Sequence, residues 1–157
     1  TFSYKNINLS IFINGSQGND LANMNTIGLY AQPQKHNVLQ KAFDERWTGP
    51  GTSTTIEAPL TNAGEWKNFS DRNVEDGSYL RFKTINLSYD LPIDELGLDW
   101  CRSAQLFVAA DNLITITNYS GFDPEVDLYA TNNVSFGVDN GAYPSSRTFR
   151  LGVKLGF

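Results

Sequence analysis

The stretch that decides the fold is Thr148–Phe157, TFRLGVKLGF. Phe149, Leu151, Val153, Leu155 and Phe157 fall in one phase, and Thr148, Arg150, Gly152, Lys154 and Gly156 in the other. Side chains alternate across a strand with period two, so this is a strand with one apolar face. At roughly 3.3 Å per residue and a tilt of about 40°, ten residues rise on the order of 25 Å, the height of the apolar band of an outer-membrane barrel. Phe157 then lies where an interfacial aromatic girdle belongs. The expectation is a transmembrane β-barrel.

Three further strands are expected upstream. Residues 2–14, FSYKNINLSIFIN, start in phase at Phe2 and Tyr4, slip at Lys5 and Asn6, and resume at Ile7, Leu9, Ile11 and Ile13. The slip reads as a β-bulge, and Phe12 interrupts the polar face. Residues 78–91, SYLRFKTINLSYDL, repeat the pattern, with Leu80 and Phe82, a slip at Lys83 and Thr84, then Ile85, Leu87, Tyr89 and Leu91. FSYKNINLS and LRFKTINLS share residues at matching places, which one slab environment explains. Residues 103–117 form another strand, with an irregularity at Asn112, and 147–157 the last.

The connections 15–77, 92–102 and 118–146 run long, short, long. Outer-membrane barrels have this asymmetry, with long extracellular loops and short periplasmic turns. Loops of such length are functional or disordered; Trp47, Trp66 and Phe69 favour an ordered one. In the first, Leu21, Met24, Ile27 and Leu29 predict a helix starting at Asp20, and Val38, Leu39, Ala42, Phe43 and Trp47 predict a second over 38–47.

Composition excludes several classes of function. The chain has 157 residues, 18% charged, with net charge −5, and no basic stripe to neutralise phosphates, so it is not a nucleic-acid binder. No apolar run approaches the length of a transmembrane helix. One cysteine, Cys101, and one histidine, His36, form neither an internal disulfide nor a zinc site; both read as turn or loop residues. Thr1 opens directly in a strand-like pattern rather than a signal peptide, so the expectation is either a cytoplasmic protein or a stretch that lacks the beginning of a longer chain.

Three segments in order, EDGSYLRFKTINLSYDLP at 75–92, LFVAADNLITITNYSGFDPEVD at 106–127 and GAYPSSRTFRLGVKLGF at 141–157, resemble the C-terminal end of SusC/RagA-like TonB-dependent outer-membrane transporters. SIFINGSQGNDLAN at 10–23 and WTGPG at 47–51 resemble that family's preceding strand and loop. The resemblance covers nearly the whole chain. It implies an all-β fold, the last four antiparallel strands of a 22-stranded barrel, with extracellular loops at 15–77 and 118–146 that contain short helices. The signal, the plug and the rest of the barrel are absent from this stretch. It further implies a bacterial outer-membrane location, coupling to TonB through an N-terminal region, a SusD-like lipoprotein partner, and import of oligosaccharides or peptides. It implies no cofactor. By the same resemblance Phe157 is the signal read by the barrel-assembly machinery.

Candidate residues follow. Trp47, Trp66, Tyr119, Phe122, Tyr129 and Tyr143 are loop aromatics suited to stacking on substrate or touching a lid; the competing reading is that they pack the loops. Arg81, Arg150 and Lys154 are placed in the polar phase and expected to face the lumen, pairing with acidic groups of the plug or of neighbouring strands, with substrate steering as the alternative. Asp123, Glu125 and Asp127 alternate in FDPEVDL, but Leu128 and Val134 stand where a calcium loop needs Gly and Glu, so they read as acids that order the loop. Asp139, Asn140 and Gly141 read as a turn. Asp71, Glu75, Asp76, Asp123 and Glu125 have no spacing that fixes a hydrolytic pair, and no serine sits in a nucleophile elbow, so no catalytic or metal residue is assigned. The alternative is a secreted β-sandwich carbohydrate-binding module, which requires Leu151, Val153 and Leu155 to be buried against a second sheet.

Overall fold

The computed structural model describes residues 1–31, 37–53, 55–58, 69–97, 100–125 and 137–157. Its strands are β1 (Phe2–Tyr4), β2 (Ile7–Ser16), β3 (Asp20–Asn23), β4 (Val74–Asp76), β5 (Tyr79–Asp90), β6 (Ser103–Thr117), β7 (Val138–Asp139) and β8 (Thr148–Gly156). Short helices are α1 (Asn25–Ala31), α2 (Gln40–Asp44) and α3 (Ile93–Leu96), with one 3-10 turn at Asp71–Asn73. They divide into two compact units. The first holds Thr1–Gln17, Ser78–Asn118 and Ser145–Phe157; the second holds Gly18–Gly77 and Tyr119–Pro144.

The first unit is one antiparallel meander in the order β1-β2-β5-β6-β8. Residues paired directly across antiparallel strands share a face, so the register defines what each face presents. One row runs Leu151, Val108, Leu87, Leu9, Phe2, and the next Val153, Leu106, Tyr89, Ile7, Tyr4. A third runs Phe149, Ala110, Ile85, Ile11. Most of these side chains are exposed, Leu151 at 82%. Leaving a large apolar side chain in water forgoes about 1.5–3 kcal/mol relative to burial. About ten of them outweigh a typical net stability of about 5–15 kcal/mol, so this face requires an apolar surrounding. The sandwich alternative fails here, because Leu151, Val153 and Leu155 are 82%, 59% and 45% exposed.

The intervening rows are polar: Arg150, Ala109, Asn86, Ser10, and beside them Gly152, Phe107, Ser88, Asn8, Ser3. Beside the small Ala109, Phe107 is the large apolar exception. Its ring lies across Gly152, where an added Cβ would stand 2.5 Å from Cζ, so the glycine leaves room for the aromatic of the paired strand.

Two irregularities fall where the alternation slips. Against β2 the register shifts between Phe12 and Ile13, leaving Lys83 of β5 as the extra residue; against β6 it shifts again, with Asn112 and Leu113 opposite Lys83, and Asn112 has φ +52, a left-handed conformation that asparagine tolerates better than most residues. The slip at Lys5 and Asn6 has another cause. It is no bulge: Tyr4 pairs with Ile7, Lys5 has φ +50, and the expected strand 2–14 is a hairpin of β1 and β2. A two-residue turn restores the alternation after a gap as a bulge does, so the sequence pattern alone does not separate them. The sheet therefore has five strands rather than four.

At one end of the sheet the short connections gather. Asp90 N–H donates to Asn6 O at 2.8 Å, Leu91 N–H to Ala104 O at 2.8 Å, and Arg102 N–H to Gly156 O at 2.7 Å. The ring centroids of Trp100 and Phe157 are 5.8 Å apart at the same end.

The second unit contains a small sheet ordered β4-β3-β7, with β3 antiparallel to β4 and parallel to β7. The helix expected from Asp20 starts only at Asn25. Asp20–Asn23 is extended because Ala22 N–H and Met24 N–H donate to Gly137 O and Asp139 O, both at 2.8 Å, so long-range pairing overrides the local helical spacing. The second helix is shorter than expected, Gln40–Asp44. Residues 71–76, expected as loop, hold the 3-10 turn and β4.

Candidate functional sites in the polar face and the loop unit

On the polar face of the sheet, carboxylates are tied across strands. Asp90 accepts from Asn8 Nδ2 at 2.9 Å and from Gln105 Nε2 at 2.6 Å. Asp111 pairs with Arg150 at 2.7 Å and accepts from Thr84 Oγ1 at 3.3 Å. Arg81 is 2% exposed; its Nε donates to Thr115 Oγ1 at 2.9 Å and one terminal nitrogen to Ser145 Oγ at 3.4 Å, with the Tyr79 ring 5.7 Å away. Lys154 lines an open depression with Asn8, Ser10, Asn86, Ser88, Gln105 and Phe107. Thus Arg81 and Arg150 both engage residues of the neighbouring strand on the polar face.

In the loop unit the centre is polar. Apolar burial is small, limited among the described residues to side chains such as Leu21, Ala42 and Ile56, and hydrogen bonds take over the work of holding the loop. Glu75 receives Asn23 Nδ2 at 2.9 Å, Ser120 Oγ at 2.8 Å and Ser120 N–H at 2.9 Å. Asn73 Nδ2 donates to Thr26 Oγ1 at 2.8 Å, and Thr26 Oγ1 donates to Asn23 O at 2.6 Å. Asp139, 1% exposed, accepts from Tyr119 Oη at 2.7 Å and from Gly141 N–H at 3.0 Å. Burial pushes the Tyr119 hydroxyl well above its ordinary value, and the bond to Asp139 and the charges of Asp139 and Glu75 push the same way. Asp123 is buried and accepts from Glu125 N–H at 2.9 Å, the local turn expected of an ordering acid.

The loop aromatics separate by environment. Tyr119 is 6% exposed and bonded inside the loop, so it is a packing residue and not a surface for substrate. Phe122 and Tyr143 are 79% and 91% exposed. Trp47 is 43% exposed and lines a groove with Ser53, Thr55, Ile56, Glu57 and Arg72. Trp66 and Tyr129, with His36 and Asp127, lie outside the described residues. Glu75, one of the carboxylates weighed for hydrolysis, is committed to Asn23 and Ser120. Among the described residues no group of three metal-binding side chains converges. Asp139 reads from sequence as a turn residue, and it accepts from Gly141 N–H, but its bond to Tyr119 has no sequence signal; for Asp90 and Asp111 the polar phase of the strands is the available signal, and for Asn23 there is none.

A two-faced meander with exposed apolar rows is the local geometry of a transmembrane barrel wall, and comparison with known proteins gives the family. TonB-dependent receptor P26 of Formosa agariphila is 30% identical over 160 residues, 100% of this chain and 16% of that protein. The RagAB peptide transporter structure superposes with TM-score 0.79 at 25% identity, over 99% of this chain and 16% of that one. The chain is a segment of a SusC/RagA-like TonB-dependent receptor. Its place is the bacterial outer membrane. Receptor SusC of Bacteroides thetaiotaomicron is 25% identical over 98% of this chain and 14% of its own length, so this receptor segment spans about one-sixth or less of these relatives. No family model matches it. The mostly-β fold with few short helices agrees with the barrel region of RagA.

Proposed function

We propose that this segment forms part of the barrel wall and outer loops of an importer that brings glycans or peptides across the outer membrane. TonB energises it, and a SusD-like surface lipoprotein works with it. The single observation that supports this most is the sheet itself, with exposed apolar rows on one side and a hydrogen-bonded polar ladder on the other, in a chain similar from end to end to TonB-dependent receptors. In this reading the apolar rows face lipid, and Arg81, Arg150 and Lys154 face the lumen. Residues 18–77 and 119–144 carry the substrate- and lid-facing surfaces, with Trp47, Phe122 and Tyr143 as contacts, and Phe157 contributes the assembly signal. The relatives are transporters rather than enzymes, and the reading assigns no catalytic step.

The test is to delete the full-length receptor gene in its native bacterium, and separately to tag the protein. Expected outcomes are loss of growth on one class of polymeric nutrient, polysaccharide or protein, and copurification of a lipoprotein from outer-membrane extracts. Unchanged growth on both classes together with no lipoprotein partner contradicts the proposal.

A further inference from the structure

The importer reading leaves substrate class open, and one groove in the loop unit bears on it. Trp47 follows α2, and its backbone N–H donates to Ile56 O at 2.8 Å, so Trp47 and Ile56 line one groove together with Ser53, Thr55 and Glu57. The groove measures about 300 Å³, at the small end of ligand sites, which run about 300–1,000 Å³. Ile56 is 7% exposed and supplies an apolar floor. Arg72 and Glu57, joined at 2.7 Å, also line it. Ser53 Oγ accepts from Thr55 N–H at 3.3 Å and Ile56 N–H at 3.2 Å, which leaves its O–H as the outward donor among the described residues.

Each part has a chemical reading. A half-exposed indole offers a flat apolar face with a polar edge. The Arg72–Glu57 pair cancels its own charge while keeping a planar fork of donors beside a carboxylate acceptor. Ser53 and Thr55 add hydroxyls. The lining is therefore neutral overall, shallow, and dense in donors and acceptors around one aromatic. A peptide that binds by adding a strand needs an open edge, and here Trp47 N–H is already given to Ile56 O and Arg46 bridges to Ile56. A pyranose ring presents a flat C–H face and a rim of hydroxyls, the chemistry that an indole ringed by donors and acceptors matches.

We propose, building on the importer reading, that Trp47, Arg72 and Glu57 form a glycan subsite that takes one ring of a neutral oligosaccharide. Trp47 stacks on the sugar face, while Glu57 accepts from and Arg72 donates to adjacent hydroxyls. The test uses the intact receptor in detergent, with calorimetry against maltohexaose, laminarihexaose, cellohexaose and xylohexaose, and against a tryptic casein peptide pool. At least one hexasaccharide is expected to bind. Trp47→Ala is expected to weaken it about tenfold and Trp47→Phe about threefold, the scale of one aromatic contact. Trp47→Phe keeps an aromatic filler should the alanine variant misfold. Binding of no hexasaccharide, binding of peptides alone, or equal affinity for wild type and both variants overturns the subsite. None of those results touches the importer reading, which fails instead if the gene deletion leaves uptake of both nutrient classes intact.

Discussion

Tyr119 Oη donates to Asp139 Oδ2 at 2.7 Å, inside a loop unit where the carboxylate is 1% exposed. A buried charged acceptor that loses a donor is left undersatisfied, at about 1–3 kcal/mol. Tyr119→Phe is therefore expected to speed proteolysis of the loop in the intact receptor about tenfold or more, with the barrel itself resisting as before. Limited trypsin digestion followed by mass spectrometry reads both.

The same bond sets a pH dependence. The Tyr119 hydroxyl is held above its ordinary value of 10.0, first by burial and then by Asp139. Because the folded value is raised, the stabilisation is complete below the unfolded value and is lost as pH rises above it. Hydrogen exchange in the loop is expected to be flat up to about pH 9 and to rise beyond about pH 10 after correction for intrinsic rates. Tyr119→Phe is expected to flatten that rise.

Gly121 lies beneath the same ring. An added Cβ would stand 2.3 Å from Tyr119 Cε1, and a side chain forced into such a packed contact costs about 1–3 kcal/mol. Gly121→Ala is expected to reproduce the loop opening of Tyr119→Phe, and the double variant to show less than the sum of the two, since both act on one ring. Full additivity in a double-mutant cycle contradicts this coupling.

On the polar face, Arg150 and Asp111 are partly exposed, and such pairs contribute about 0–1 kcal/mol. Arg81 is buried with a fixed set of acceptors. Arg81→Lys is expected to lower refolding stability in detergent by about 1–2 kcal/mol, because lysine lacks the planar fork. Arg150→Lys is expected to change it by less than about 0.5 kcal/mol. A urea titration of the folded fraction on unheated gels measures the difference.

The sheet was legible in sequence because membrane strands need little beyond alternation: Leu151, Val153 and Leu155 declare the outward face without any tertiary information. Bounds of β5, β6 and β8 followed to within a residue or so for that reason. The loop unit was not legible. Asp20–Asn23 carries helical spacing yet pairs with Val74–Asp76 and Val138–Asp139, partners far away in sequence that no local pattern announces. Tyr119 reads from sequence as a loop aromatic open to substrate contact or to loop packing, since nothing near it reveals that Asp139 takes its hydroxyl. Trp47 reads from sequence as the end of a helical stripe within the long loop, and only the fold brings Arg72 and Glu57 into the same groove.

The row Leu151, Val108, Leu87 is expected to face lipid and the row Gly152, Phe107, Ser88 to face water. Spin labels placed singly at Leu87, Val108 and Leu151, and at Ser88, Gln105 and Lys154, in a Cys101→Ser background of the intact receptor in liposomes, test it directly. Accessibility to oxygen against a water-soluble nickel chelate is expected to favour oxygen at the first three sites and nickel at the other three. High nickel accessibility at Leu151 and Val108 would contradict the account.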